Sequence, residues 1–226
     1  MIRKQKLVPN SIYHIYNRGV EKRTIFIDDN DRLRFVKGLA IFNDKRPITN
    51  SDIKFSNLET HLRQRKFLVD ILAFCLMPNH FHLLLTPRVN NGVTEFMRKV
   101  GTGYVNYFNL RHKRVGTLFQ GKFKSVLIDN EPQFIHIPYY IHLNPLDIMQ
   151  PNWKESGIKN RKNAVNFLDS YKWSSHSDYR GKESFPFVIN KDILSDYFVD
   201  EDGYSSSFYE FISDFDFSNI SNLLLE

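Results

Sequence analysis

The chain has 226 residues, 42% of them hydrophobic and 15% aromatic, with a net charge of +6 and one cysteine, Cys75. That is enough to bury a core, and it excludes wholesale disorder and an internal disulfide framework. The charge is lopsided: residues 192–226 hold nine acidic residues and no Lys or Arg, so residues 1–191 hold all 31 basic and 16 acidic residues, a net of +15. A body this basic points to a polyanionic partner, most often nucleic acid.

In chain order, "SIYHIYNRG" (11–19) predicts a strand over about 12–17, ended by a turn. Asp28, Asp29 and Asn30 can cap a helix whose Leu33, Val36, Leu39 and Phe42 keep helical spacing. Residues 43–66 are polar and read as a long loop or insertion, with a short helix near Leu58–Arg65. "FLVDILAFCLM" (67–77) reads as a strand, "PN" (78–79) as a tight turn, and "HFHLLLTP" (80–87) as the return strand of a hairpin. Residues 92–114 form an amphipathic helix with a basic end, and 122–128 a further strand. "EPQFIHIPYYIHLNP" (131–145) is a helix that stops before Pro145, with a kink or restart expected at Pro138. Beyond 146 the pattern weakens into a basic loop and an acidic, aromatic tail.

Strand, helix, hairpin, helix, strand, helix is the order of an α+β fold. It suits a ferredoxin-like antiparallel sheet with helices packed on one face, here followed by a C-terminal extension. The expected division is a catalytic domain over 1–150, carrying the polar insertion at about 43–66, and an extension over 151–226.

Three constellations carry chemistry. His80 and His82 share one face of a strand, with two nitrogens placed for one cation. With a single cysteine, its further ligands must be oxygen donors, amides, more histidine or water. That favours Mg²⁺ or Mn²⁺, held partly by a substrate phosphate. Tyr140 and Asn144 stand four apart on one helix face. Tyrosine can act as a covalent nucleophile, although most of the eleven tyrosines must serve as packing groups. Basic residues interleave with aromatics at Arg18, Arg111, Arg114, Lys122 and Lys124, a pattern suited to a single nucleic-acid strand. For most of these rings, core packing is the ordinary reading.

"YHIYNRG", "LMPNHFHLLL", "FQGKFKS", "YIHLNP" and "WSS" occur in this order over about Ser11–Ser175. Together they resemble the single-tyrosine HUH transposases, in the branch related to REP-associated tyrosine transposases. The resemblance implies a metal-dependent enzyme that cleaves and rejoins single-stranded DNA through a covalent 5′-phosphotyrosine. It assigns Tyr140 as nucleophile and His80, His82 and Asn144 as ligands of a divalent metal. It implies hairpin or single-stranded DNA as partner, and a monomer or a homodimer. The longest apolar run, about Ile71–Met77, is far short of the ~20 residues of a membrane span. The N-terminus has no apolar stretch behind its charges, so neither a membrane partner nor a signal peptide is expected, and the expected location is cytoplasmic.

Overall fold

The computed structural model describes residues 7–47, 65–194 and 201–213. Four strands, β1 (Ile12–Arg18), β2 (Val69–Met77), β3 (His80–Pro87) and β4 (Lys124–Ile128), form one antiparallel sheet in the order β2-β3-β1-β4. Eight α-helices accompany them among the described residues: α1 (Asp29–Ile41), α2 (Gly92–Arg111), α3 (Glu131–Leu143), α4 (Leu146–Met149), α5 (Trp153–Ser156), α6 (Arg161–Ser170), α7 (His176–Tyr179) and α8 (Glu201–Ser213). The sheet order is that of two interleaved βαβ units. The short helix expected near Leu58–Arg65 lies almost wholly outside the described residues.

Local chemistry sets the boundaries. Asp28 caps α1 by accepting from the Asp31 amide at 3.0 Å, and Asn130 caps α3 by accepting from Gln133 N at 3.0 Å. α3 runs through Pro138 as one helix, so the expected restart is absent. Proline removes only one backbone donor, and tertiary packing holds the rest. In α1 the buried face is Phe35, Val36 and Leu39, while Leu33 stands 37% exposed. α2 carries two interior glycines, Gly101 and Gly103, each costing about 0.5–1 kcal/mol relative to alanine. Gly103 has a packing reason: a Cβ there would run into the Phe42 ring.

The sheet is covered on both faces. α1 and α2 bury Phe35, Leu39, Phe96 and Tyr104 against Ile15, Phe74, Leu76, Phe81, Leu83 and Leu85. α3 packs on the other face, with Ile137, Tyr140 and Ile141 against Leu72, Cys75 and Leu84. Helices on one face therefore describes the two crossover helices only. The strand 69–77 is apolar on both sides, as a doubly covered strand must be, and an irregularity between Ile71 and Ala73 shifts its register against β3.

The segment after 150 completes this second core. Trp153, Ala164, Leu168, Tyr179, Tyr204 and Phe208 are buried with α3. "WSS" lies along the β2 edge: Leu76 N donates to Trp173 O, and Ser175 N donates to Phe74 O. The Ser175 hydroxyl also meets His142 Nε2 of α3 at 2.7 Å, while His142 Nδ1 meets the Tyr204 hydroxyl of α8 at 2.7 Å. Burial, and the neighbouring His176, hold the His142 pKa well below its ordinary 6.5. On acidification through 6.5 the unfolded chain binds a proton at this side chain and the folded chain does not. The stability it contributes is complete above that pH and is lost below it, by up to about 1.4 kcal/mol per pH unit. Melting temperatures should fall between about pH 7 and pH 5.5. The fall should be smaller in His142→Gln, and an equal fall in both proteins would remove His142 as its cause.

Candidate active site

Strand alternation puts His14 and Tyr16 of β1 on the same face as His80, His82 and Leu84 of β3. In register, Tyr16 stands opposite both His82 and Lys124, and Arg18 opposite His80. α3 covers this face and brings Tyr140 to it. The Tyr140 ring lies edge-on to His82 and to His14, with centroids 6.2 Å apart in each case. The His80 and His82 rings are 5.0 Å apart. Tyr140 and His82 are thus neighbours in space although 58 positions apart in the chain.

Tyr139 faces elsewhere. Its ring packs on Tyr204, Phe208 and Phe211 of α8, and burial pushes its pKa up to about 12. A rotation of about 100° per residue separates the two tyrosines on the helix. Lys154, on α5, reaches the site: its Nζ lies 3.4 Å from the Tyr140 hydroxyl and 3.5 Å from Asn144 Oδ1. The ammonium also sits 5.3 Å from the Tyr140 ring centroid and 3.5 Å from Asp147. Asp147 accepts in turn from Trp153 Nε1 at 2.6 Å, which anchors the turn carrying Lys154. Asn144 turns its amide nitrogen back to the Tyr140 carbonyl at 2.9 Å, leaving Oδ1 directed to the Lys154 side.

The donor set fits a divalent cation. His80 Nδ1 meets Asn79 Oδ1 at 2.6 Å, which places the hydrogen on Nδ1 and the lone pair on Nε2. His82 Nδ1 meets His14 Nε2 at 2.8 Å. When His82 is the donor in that bond, its Nε2 also offers a lone pair. Both Nε2 atoms are buried. Among the described residues no three His, Cys, Asp or Glu side chains cluster as a cage. Two imidazoles therefore hold an ion only together with amide, water or phosphate oxygens.

The basic residues divide into two groups. Arg18, Lys22 and Lys124 line a cavity of about 280 Å³ that also includes Tyr16, Asn79 and His80. Arg18 donates to Gln120 Oε1 at 2.6 Å, and the Lys124 ammonium lies 5.6 Å from the Tyr16 ring centroid. Lys122 is exposed on the adjoining loop. Arg111 and Arg114 stand at the end of α2, which packs on the opposite face. Arg111 pairs with Asp28 at 2.6 Å and with buried Asp31 at 2.7 Å, and Arg114 donates to Asn109 Oδ1 at 2.9 Å. Arg111 joins the start of α1 to the end of α2, and Arg114 braces the turn that follows. Neither adjoins the histidines.

Sequence reasoning passed over His14 and Lys154. His14 sits in the quoted "YHIYNRG" and shares the His82 face, a signal available once the strands are paired. Lys154 had none, because its place depends on the turns after Pro145.

Residues 36–144 match the family model described as "Transposase IS200 like". No curated protein matches the chain in sequence. Among solved structures, the fold is similar to a REP-associated tyrosine transposase bound to a REP hairpin, with a TM-score of 0.51 and 13% identity, covering 85% of this chain and 92% of that one. A tRNA(His) guanylyltransferase from Saccharomyces cerevisiae aligns with a TM-score of 0.38 and 11% identity, over 84% of this chain and 83% of that one. That similarity is too low to carry an argument.

Proposed function

We propose, from the match of residues 36–144 to the IS200-like transposase model, that this chain is a transposase of that kind and cleaves and rejoins single-stranded DNA with Tyr140 as nucleophile. The observation that carries the reading is the meeting of Tyr140 with the His80–His82 face and with the Lys154 ammonium. The Tyr140 oxygen attacks a backbone phosphorus, and the bond from phosphorus to the 3′ oxygen breaks. The phenol gives up a proton and the departing 3′ oxygen takes one up. The 5′ phosphate stays esterified to Tyr140, so the free 3′-OH can reverse the step or be replaced by another strand's.

Lys154 offsets the negative charge that develops on the tyrosine oxygen, in a site where Tyr140 is only 1% exposed. His80, His82 and Asn144 would hold a Mg²⁺ or Mn²⁺ ion, which would supply Lewis-acid stabilisation of the phosphate. Arg18 and Lys124 flank the histidines and take the backbone charge of the strand. The fold neighbour's REP hairpin supports folded single-stranded DNA as the substrate class. Lys122 stands exposed on the adjoining loop, whereas the carboxylate pairing of Arg111 supports a bracing role for it.

The test is incubation with Mn²⁺ and a labelled hairpin oligonucleotide, followed by a denaturing gel. A DNA-linked protein band is expected. Binding without cleavage under any divalent metal would replace this reading with a DNA-binding regulator, and cleavage without an adduct with a hydrolase. Lys154→Met should slow adduct formation by about 10- to 100-fold at neutral pH, and the rate profile should move to higher pH. A uniform loss at every pH would reduce Lys154 to a structural role.

A further inference from the structure

Behind the histidine face, across the sheet, lies a second cavity of about 460 Å³. Phe35, Phe81, Met97, Phe119 and Phe123 give it apolar walls. Arg98 and Lys122 are its charged residues and are exposed, and among the described residues no acidic side chain lines it. Asn17 lines this cavity and also the one beside His80. Its side chain donates to Gly121 O at 3.2 Å. The loop 119–123 lines both cavities, with Gln120 in the first and Phe119, Gly121, Lys122 and Phe123 in the second, so it joins a strand held along Arg18 and Lys124 to the second cavity.

Gly101 supplies an independent observation. It lines the cavity in the middle of α2, and a Cβ built there meets nothing within 4 Å. Glycine is a poor residue for a helix interior, and here no neighbour requires it. Gly103, two residues on, is required by Phe42. What the missing side chain at 101 provides is open space over an aromatic-lined cavity.

We propose that this cavity takes one nucleobase of the single strand flanking the cleaved phosphate, stacked among the phenylalanines with its phosphates held by Arg98 and Lys122. Flat rings beside cations, without acidic groups, are what a base on a polyanionic strand needs. The proposal rests on the single-strand reading of the active site.

The experiment measures binding of labelled single strands to the full chain carrying Tyr140→Phe, so that no cleavage intervenes. A series of strands has one base removed at each position in turn. One position should cost about tenfold in affinity when its base is missing. Gly101→Met, which fills the space, should cost about the same on the intact strand and nothing further on the strand lacking that base. Gly101→Ala adds only a methyl group; an unchanged or raised melting temperature there, and a cooperative melt for Gly101→Met, show that the fold is kept. Additive losses, or no loss with Gly101→Met, would overturn the pocket. A change in oligomeric mass with DNA affinity unchanged would assign the cavity to a second copy of the chain. If the protein with Gly101 intact binds no single strand at all, the transposase reading falls and the pocket falls with it, a result distinct from the other outcomes.

Discussion

Tyr140→Phe is expected to abolish the covalent DNA adduct, by at least about 10³-fold, while DNA binding stays within a few-fold. The phenyl ring keeps its edge contacts with His14 and His82, so the packing between α3 and the sheet is retained. What is lost is the hydroxyl and its 3.4 Å contact with Lys154. A stability change of no more than about 0.5–1.5 kcal/mol follows from one such contact. Tyr139→Phe is the paired control. Tyr139 serves the aromatic contact with α8, so its loss should leave adduct formation intact. The measurement is the adduct band on a denaturing gel. A band that persists in Tyr140→Phe and vanishes in Tyr139→Phe would reverse the assignment.

The second large effect is expected at His82. His82→Ala removes a proposed metal nitrogen, the bond to His14 and the contact with Tyr140 together. Cleavage should fall by more than about 10²-fold, and raising Mn²⁺ should not restore it. His14→Phe should behave differently. It leaves both proposed metal nitrogens in place and removes only the group that orients His82. An outer group of this kind is worth about 10- to 100-fold in metal affinity. The Mn²⁺ midpoint for adduct formation should rise by that factor while the plateau rate is kept. Equal behaviour of the two variants would show that His14 does more than orient its partner.

Most of the sheet was legible because its signals are local. Alternation along "YHIYN" and "HFHLLL" gives the two faces, "PN" gives the hairpin, and Asp28 and Asn130 mark helix starts. The Tyr140–Asn144 spacing singles out the tyrosine that the fold turns to the histidine face, whereas Tyr139 turns to α8. What stayed hidden depends on distant pairing. His14 meets His82 only through the β1–β3 register. Arg111 reads as a basic helix end until Asp28 and Asp31 come across from α1 to meet it. α3 lies opposite the crossover helices because both Tyr140 and the histidines face inward, which no single segment states. The acidic, aromatic tail shows no clear pattern in sequence, and its described helix seats Tyr204, Phe208 and Ile212 in the core beside α3.

The "WSS" segment has a consequence for self-association. An outer strand with free amides and carbonyls invites a neighbouring sheet to join it. Here Trp173–Ser175 already occupies the Phe74–Leu76 stretch of β2, with Ser175 tied also to His142. Two copies therefore cannot merge their sheets into one continuous ribbon through that stretch. A dimer of this chain must be built on another surface.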